Sequence, residues 1–189
     1  MTNMNIAALP LRNDRATDGR IARAWAALGA VPDPEIPVVS IRDLGILRDV
    51  LTAADGALEI VITPTYSGCP AMSQIAEDIG RALDGAGLAP WRIRTVLAPA
   101  WTTDWITPAA RERLRAFGIA PPGQCGTPAA AQPLRFVPRA ARAGAPDAVA
   151  CPRCGSMHTQ EISRFASTAC KALYRCLDCR EPFDYFKPY

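Results

Sequence analysis

CPRCGSMHTQEISRFASTACKALYRCLDC, residues 151 to 179, opens and closes on the same device: Cys151-Pro152-Arg153-Cys154 at one end, Cys176-Leu177-Asp178-Cys179 at the other, with 21 residues between. A C-x-x-C on a tight turn sets two thiolates side by side where backbone amides can point at sulfur, and two such turns supply the tetrahedral set that zinc prefers. Gly155 follows the first pair and lets the backbone reverse. The stretch between the pairs reads as two antiparallel strands, about 159–165 and 172–175, so this part is expected to be a zinc ribbon held by Cys151, Cys154, Cys176 and Cys179. A segment as short as 151–189 cannot bury enough apolar surface to fold unaided, so the metal is expected to be structural, its binding energy becoming folding energy. Two disulfides are disfavoured by the knuckle spacing and by a reducing compartment. A four-thiolate iron or an iron-sulfur cluster accepts the same ligands and stays open beside zinc.

His158 is the chain's single histidine and lies four residues past Cys154. With four well-spaced cysteines present it reads as a surface residue in a turn rather than a substitute ligand. Cys170 precedes Cys176 by six residues, up to roughly 20 Å along a regular strand, so it cannot be a ribbon ligand and reads as a free structural thiol. The last 39 residues also hold 6 of the chain's 13 aromatics. On a competing, interaction-only reading, the ribbon with Phe183, Tyr185, Phe186 and Tyr189 forms an adhesive surface, since aromatics suit such patches.

Upstream of the ribbon, residues 121–150 contain 18 Pro, Ala or Gly out of 30, too few core-forming groups for a folded unit, and read as a semi-extended connector. Leu134, Phe136 and Val137 are its only residues suited to docking, and Cys125 is incidental. Before it, residues 17–120 carry a globular pattern, and residues 1–16 show none and read as a mobile leader.

Within 17–120, Ile21, Ala24, Trp25 and Leu28 fall at helical spacing ahead of Gly29, predicting a first helix. Pro32, Pro34 and Pro37 impose a structured loop on VPDPEIPVVSIRDLGI. Two β-rich runs, 46–52 and 58–63, flank Asp55-Gly56 and predict a hairpin. A second helix is expected from about Pro70, a third strand over 92–98, and a third helix opened by Thr107-Pro108 and closed by Gly118. The expected fold is therefore α+β: helix, hairpin, helix, strand and helix, then the ribbon.

Cys69 stands in Tyr66-Ser67-Gly68-Cys69-Pro70, just before the second helix. The positive end of the helix dipole is expected to lower its pKa and favour the thiolate that attacks or binds metal. A small buried hydrophobe is the competing reading. Asp33 and Glu35, in the proline-braced loop, could supply hard oxygen ligands or merely cap it. Trp101 and Trp105 read either as a cover over a loop pocket or as core.

The whole chain has 189 residues and 20.3 kDa, enough for one ordinary domain and a small appendage. Its net charge of +3 leaves neither part a grip for polyanions, and the ribbon's excess of two cations vanishes once four thiolates and one zinc are counted, which sets nucleic-acid binding aside. A single histidine removes multi-histidine metal chemistry. No apolar run approaches the roughly 20 residues of a membrane span, and no secretory signal opens the sequence, so the cytoplasm is the expected compartment.

The stretches DPEIPVVSIRDLGILRDV (33–50), ITPTYSGCPAMSQI (62–75) and PAWTTDWITPAARERLRAFGIAPP (99–122) together resemble the metal-sulfur cluster assembly factor family, small proteins that assist iron-sulfur maturation. The ribbon narrows the resemblance to the PaaD-like branch, encoded with the phenylacetyl-CoA epoxidase of aerobic phenylacetate degradation. The resemblance implies an accessory, non-catalytic role in assembling an iron or iron-sulfur centre. Its implied partners are epoxidase subunits, the di-iron hydroxylase or the iron-sulfur flavin reductase. It matches the family's motif cysteine to Cys69 and its acidic loop position to Glu35, with Asp33 adjacent, as a transient handover site for iron or a cluster. The rival expectation is a structural subunit that stabilises the oxygenase without passing metal.

Overall fold

The structure, a computed structural model, describes residues 19–123 and 149–189. The leader and most of the connector, with Cys125, Leu134, Phe136 and Val137, lie outside the described residues. Packing divides the chain into two units between Trp101 and Thr102.

In the first unit, helix α1 (Gly19–Gly29) buries Ala24 and Leu28 and ends where its apolar spacing ends. The following loop is built on side-chain oxygens. Asp33 Oδ1 accepts the amides of Glu35 and Ile36 at 2.9 and 2.8 Å, and Ser40 and Asp43 cap each other reciprocally through Ser40 N to Asp43 Oδ2 and Asp43 N to Ser40 Oγ. These turns drive Ile36, Val39, Ile41 and Leu44 inward, and all four are buried. Strands β1 (Leu47–Thr52) and β2 (Leu58–Ile62) form the antiparallel hairpin that Asp55-Gly56 predicts, with Gly56 at φ 80°. Helix α2 (Ala71–Gly85) buries Ile75, Ile79 and Leu83 and carries the chain to β3 (Trp91–Thr95), which pairs parallel to β2. The sheet order is β1-β2-β3. Trp101 is core: it is buried and its Nε1 donates to the Leu44 carbonyl at 2.9 Å.

In the second unit a short 3-10 turn (Thr103–Trp105) precedes helix α3 (Pro108–Phe117), capped by Thr107 Oγ1, which accepts from the Ala110 amide, and closed by Gly118 at φ 99°. Strand β4 (Ile119–Ala120) then joins the ribbon sheet, pairing parallel to β7 (Pro182–Phe186), and β6 (Lys171–Cys176) and β5 (Thr159–Ser163) complete the order β4-β7-β6-β5.

Three expectations change here. The first unit does not run to residue 120, because α3 and β4 pack with the ribbon. The ribbon has three strands of its own, and its second strand begins at Lys171. Of the C-terminal aromatics, Phe183 and Phe186 are buried and cannot form an adhesive surface, and Tyr174, Phe183 and Tyr185 pack together in a core with Ala120, Val149, Ala172, Cys151 and Cys176, while Tyr189 is 40% exposed. Burying those rings supplies the apolar area that so short a segment was expected to lack. No helix among the described residues is long and apolar enough to cross a membrane.

Candidate functional site

The two knuckles are built alike. In the first, the Gly155 amide bonds to the Cys151 carbonyl at 2.9 Å and Cys151 N to the Ser156 carbonyl at 2.8 Å. In the second, Cys176 N bonds to the Glu181 carbonyl at 3.0 Å and the Cys179 amide donates to Cys176 Sγ at 3.4 Å. Asp178 ties the knuckles together by accepting from Ser156 Oγ and facing His158 Nδ1 at 3.2 Å. His158 is exposed and turned to this carboxylate, as expected of a turn residue that is no ligand.

Among the described residues, Cys151, Cys154, Cys176 and Cys179 are the one set of three or more such groups whose ligand atoms lie within 4.8 Å of one another. Sγ of Cys151 and Cys179 are 3.8 Å apart, and those of Cys154 and Cys176 3.6 Å. Zinc-sulfur bonds of about 2.3 Å in a tetrahedron put sulfurs about 3.8 Å apart. Disulfide bonding requires about 2.05 Å. The separations therefore fit a four-thiolate metal cage, and all four cysteines are free thiols.

Without metal these thiols ionise unequally. The amides of Cys179 and Asp178, with bonds from neighbouring sulfurs, bring Cys176 down to about 6. The Glu181 amide favours the ionised form of Cys179, yet burial and the facing sulfurs outweigh it and hold this thiol at about 12.

Cys170 is buried, with Thr168 Oγ1 at 3.0 Å from its Sγ, and behaves as a packed thiol. Sequence reasoning missed Lys171 beside it, 4% exposed and paired to Asp184 at 3.1 Å. The alternation of charge and aromatic in the C-terminal strand was the available signal.

In the first unit, Cys69 is half-buried in the turn before α2. Its amide bonds to the Tyr66 carbonyl at 3.1 Å, and its sulfur takes hydrogen bonds from the Ala71 amide and from Thr65. Pro70, at the N-cap, contributes no side-chain cap. The expected lowering of its pKa is overturned. Burial pushes the thiol up, the Ala71 and Thr65 hydrogen bonds pull against it, and the carboxylates of Glu35 and Asp33 add to the rise. Asp33 and Glu35 thus act electrostatically on Cys69, but the three do not form a compact ligand set. Asp33 is 6% exposed and spends Oδ1 on its own loop.

Two family models match separate stretches of the chain. Residues 21–91 match the model of an iron-sulfur cluster assembly protein, and residues 136–187 match the PaaD zinc beta ribbon domain. The chain is 49% identical over 168 residues to a putative 1,2-phenylacetyl-CoA epoxidase subunit of Escherichia coli, covering 89% of this chain and 93% of that protein. It is 34% identical over 84 residues to an Fe-S protein maturation auxiliary factor of Porphyromonas gingivalis, covering 44% of this chain and 79% of that one. A crystal structure of a domain of unknown function from Bacillus anthracis aligns with 50% of this chain and 91% of its own at 29% identity and a TM-score of 0.46. Over nearly its full length, therefore, the chain belongs to the PaaD family, in which an iron-sulfur cluster assembly domain is joined to a zinc β-ribbon.

Proposed function

We propose that this protein is a non-catalytic maturation factor for a phenylacetyl-CoA epoxidase-type oxygenase, helping to assemble an iron or iron-sulfur centre in a partner such as the di-iron hydroxylase or the iron-sulfur flavin reductase. The near full-length likeness to a putative epoxidase subunit and the first unit's match to cluster assembly proteins support this reading. In it, Cys151, Cys154, Cys176 and Cys179 hold a structural zinc, and Cys69, beside Glu35 and Asp33, is the transient ligand of iron or a cluster. The protein works in the cytoplasm.

The observation that carries the handover role is the contrast between the two thiol environments. Four converging sulfurs make a closed cage that retains its metal. Cys69 is a half-buried sulfur with two hydrogen bonds, and among the described residues it belongs to no cluster of three or more metal-binding groups. Few protein ligands make a weak hold, which a handover requires. Cargo metal displaces the Cys69 proton as it binds, and the same proton returns to the sulfur as cargo leaves, so the raised pKa favours release.

The test is metal analysis of the epoxidase subunits purified from a strain lacking this protein and complemented with wild type or Cys69→Ser. Wild type is expected to restore client iron and Cys69→Ser to leave it depleted, while both forms keep one zinc per chain. Full client iron with Cys69→Ser would sink the handover role. Full client iron without the protein at all would leave only a structural role in the complex.

A further inference from the structure

Arg115 and Arg153 converge on a cleft of about 430 Å³ in the second unit, between the C-terminal end of α3 and the first knuckle, with Glu112, Ala116, Gly118 and Pro152 as its remaining walls. Two features set it apart from an ordinary charged surface. Neither guanidinium makes a hydrogen bond or ion pair among the described residues, although Arg111 on the same helix bonds to the Thr103 and Pro122 carbonyls. Gly118 borders Arg153 in the cleft, where a Cβ would meet Arg153 Nη2 in ordinary contact at 3.5 Å, and its φ of 99° suits glycine at the helix end. Arg153 lies between the ligands Cys151 and Cys154, so the metal cage fixes the backbone that presents it.

Unpaired guanidiniums facing one opening are the strongest protein group for planar, bidentate recognition of an oxyanion. Glu112 is the lone carboxylate in the cleft and is outnumbered. Four of the six wall residues are exposed or nearly so, and so shallow a cleft cannot bury the 70–90% of a small ligand's surface that such sites typically bury. A side chain delivered by a larger protein surface needs no such enclosure. Phe117 ends the same helix and is 53% exposed.

We propose that Arg115 and Arg153 form a carboxylate-binding cleft by which the second unit grips an acidic segment of a partner protein. This docking is separate from the chemistry at Cys69 and stands whether or not Cys69 carries metal.

The test uses full-length, zinc-loaded protein and a fluorescein-labelled hexapeptide of alternating Glu and Phe, with binding read by anisotropy. Binding is expected to weaken with salt, to fall at least tenfold in Arg115→Glu and in Arg153→Gln, and to stay within twofold of wild type in Arg175→Glu and Cys69→Ser. Arg115 lies outside the knuckle, so its variant carries the test even where a change at Arg153 disturbs the zinc. Absence of peptide binding by wild type, or unchanged binding in Arg115→Glu, overturns the proposal. So does displacement of the peptide by inorganic phosphate as readily as by unlabelled peptide, which would make the cleft a free-anion site.

Discussion

Gly155 and Arg180 occupy equivalent places, one residue past the second cysteine of each knuckle, and both hold a left-handed backbone, at φ 76° and 66°. The two turns need the same conformation, but only the first uses the residue that adopts it freely. A left-handed backbone costs a residue with a side chain roughly 1–2 kcal/mol. Arg180→Gly is therefore expected to stabilise the zinc-loaded protein by about 1 kcal/mol, offset partly by the extra freedom of glycine in the unfolded chain. Gly155→Ala is expected to destabilise it by a similar amount through backbone strain alone, since no heavy atom lies within 4 Å of the added Cβ. Thermal unfolding at saturating zinc reads both, and a lower melting temperature for Arg180→Gly would contradict the strain argument.

The unequal thiols give metal binding a defined pH dependence. A depressed pKa marks a group whose ionised form is favoured by the fold, so the Cys176 thiolate persists as pH falls until about 6 and is lost below it. Cys179, at about 12, is protonated throughout the ordinary range and must release its proton to bind metal. Apparent zinc affinity is thus expected to fall as pH falls, because Cys179 gives up a proton on binding throughout the ordinary range and Cys176 adds a second below about 6. Competition with a chromophoric chelator from pH 5.5 to 8.5 checks it, and a pH-independent affinity would show that the cage is not made of thiolates.

The paired C-x-x-C motifs, the Asp55-Gly56 turn and the Thr107-Pro108 opening were legible because each is a local signal: residues a few positions apart fix the turn, cap or ligand pair. What was not legible depends on partners far along the chain. Strand β4 is two residues long and exists because β7 lies beside it, some 65 positions later. Phe183 and Phe186 look like surface aromatics until α3 and β4 are known to belong to the second unit. At Cys69 the helix start was visible in the sequence, and Thr65, Glu35 and Asp33 were nearby names, but the pKa direction depends on how far the fold buries the sulfur. Burial outweighed the Ala71 and Thr65 hydrogen bonds.

Lys171 and Asp184 form a nearly buried ion pair across β6 and β7. Removing one partner strands a charge in the sheet, so Asp184→Ala is expected to cost about 3 kcal/mol. Replacing both, Lys171→Met with Asp184→Leu, is expected to recover most of that loss, because apolar residues of similar volume need no desolvation. Urea denaturation of the zinc-loaded protein measures the cycle, and a double variant as unstable as Asp184→Ala would mean that the pair itself, and not the orphaned lysine, carries the stability.

Cys69 is held protonated chiefly by burial and partly by the carboxylates of Glu35 and Asp33. A raised thiol pKa means little thiolate at neutral pH, so alkylation at Cys69 is expected to be slow there and to accelerate through and above the ordinary thiol range. Glu35→Gln removes one like charge while keeping the side chain's shape, and is expected to speed alkylation at pH 7.5 about two- to threefold. Thr65→Val deletes a hydrogen bond that favours the thiolate, and is expected to slow it by a similar factor. Asp33→Asn is a poorer probe, because the Asp33 oxygen also holds the Glu35 and Ile36 amides. Iodoacetamide labelling of zinc-loaded protein, read at the Cys69 peptide by mass spectrometry, separates the two effects. If Glu35→Gln leaves the rate unchanged while Thr65→Val slows it, Glu35 does not act on the sulfur, and the acidic loop falls out of the handover site while Cys69 stays in it.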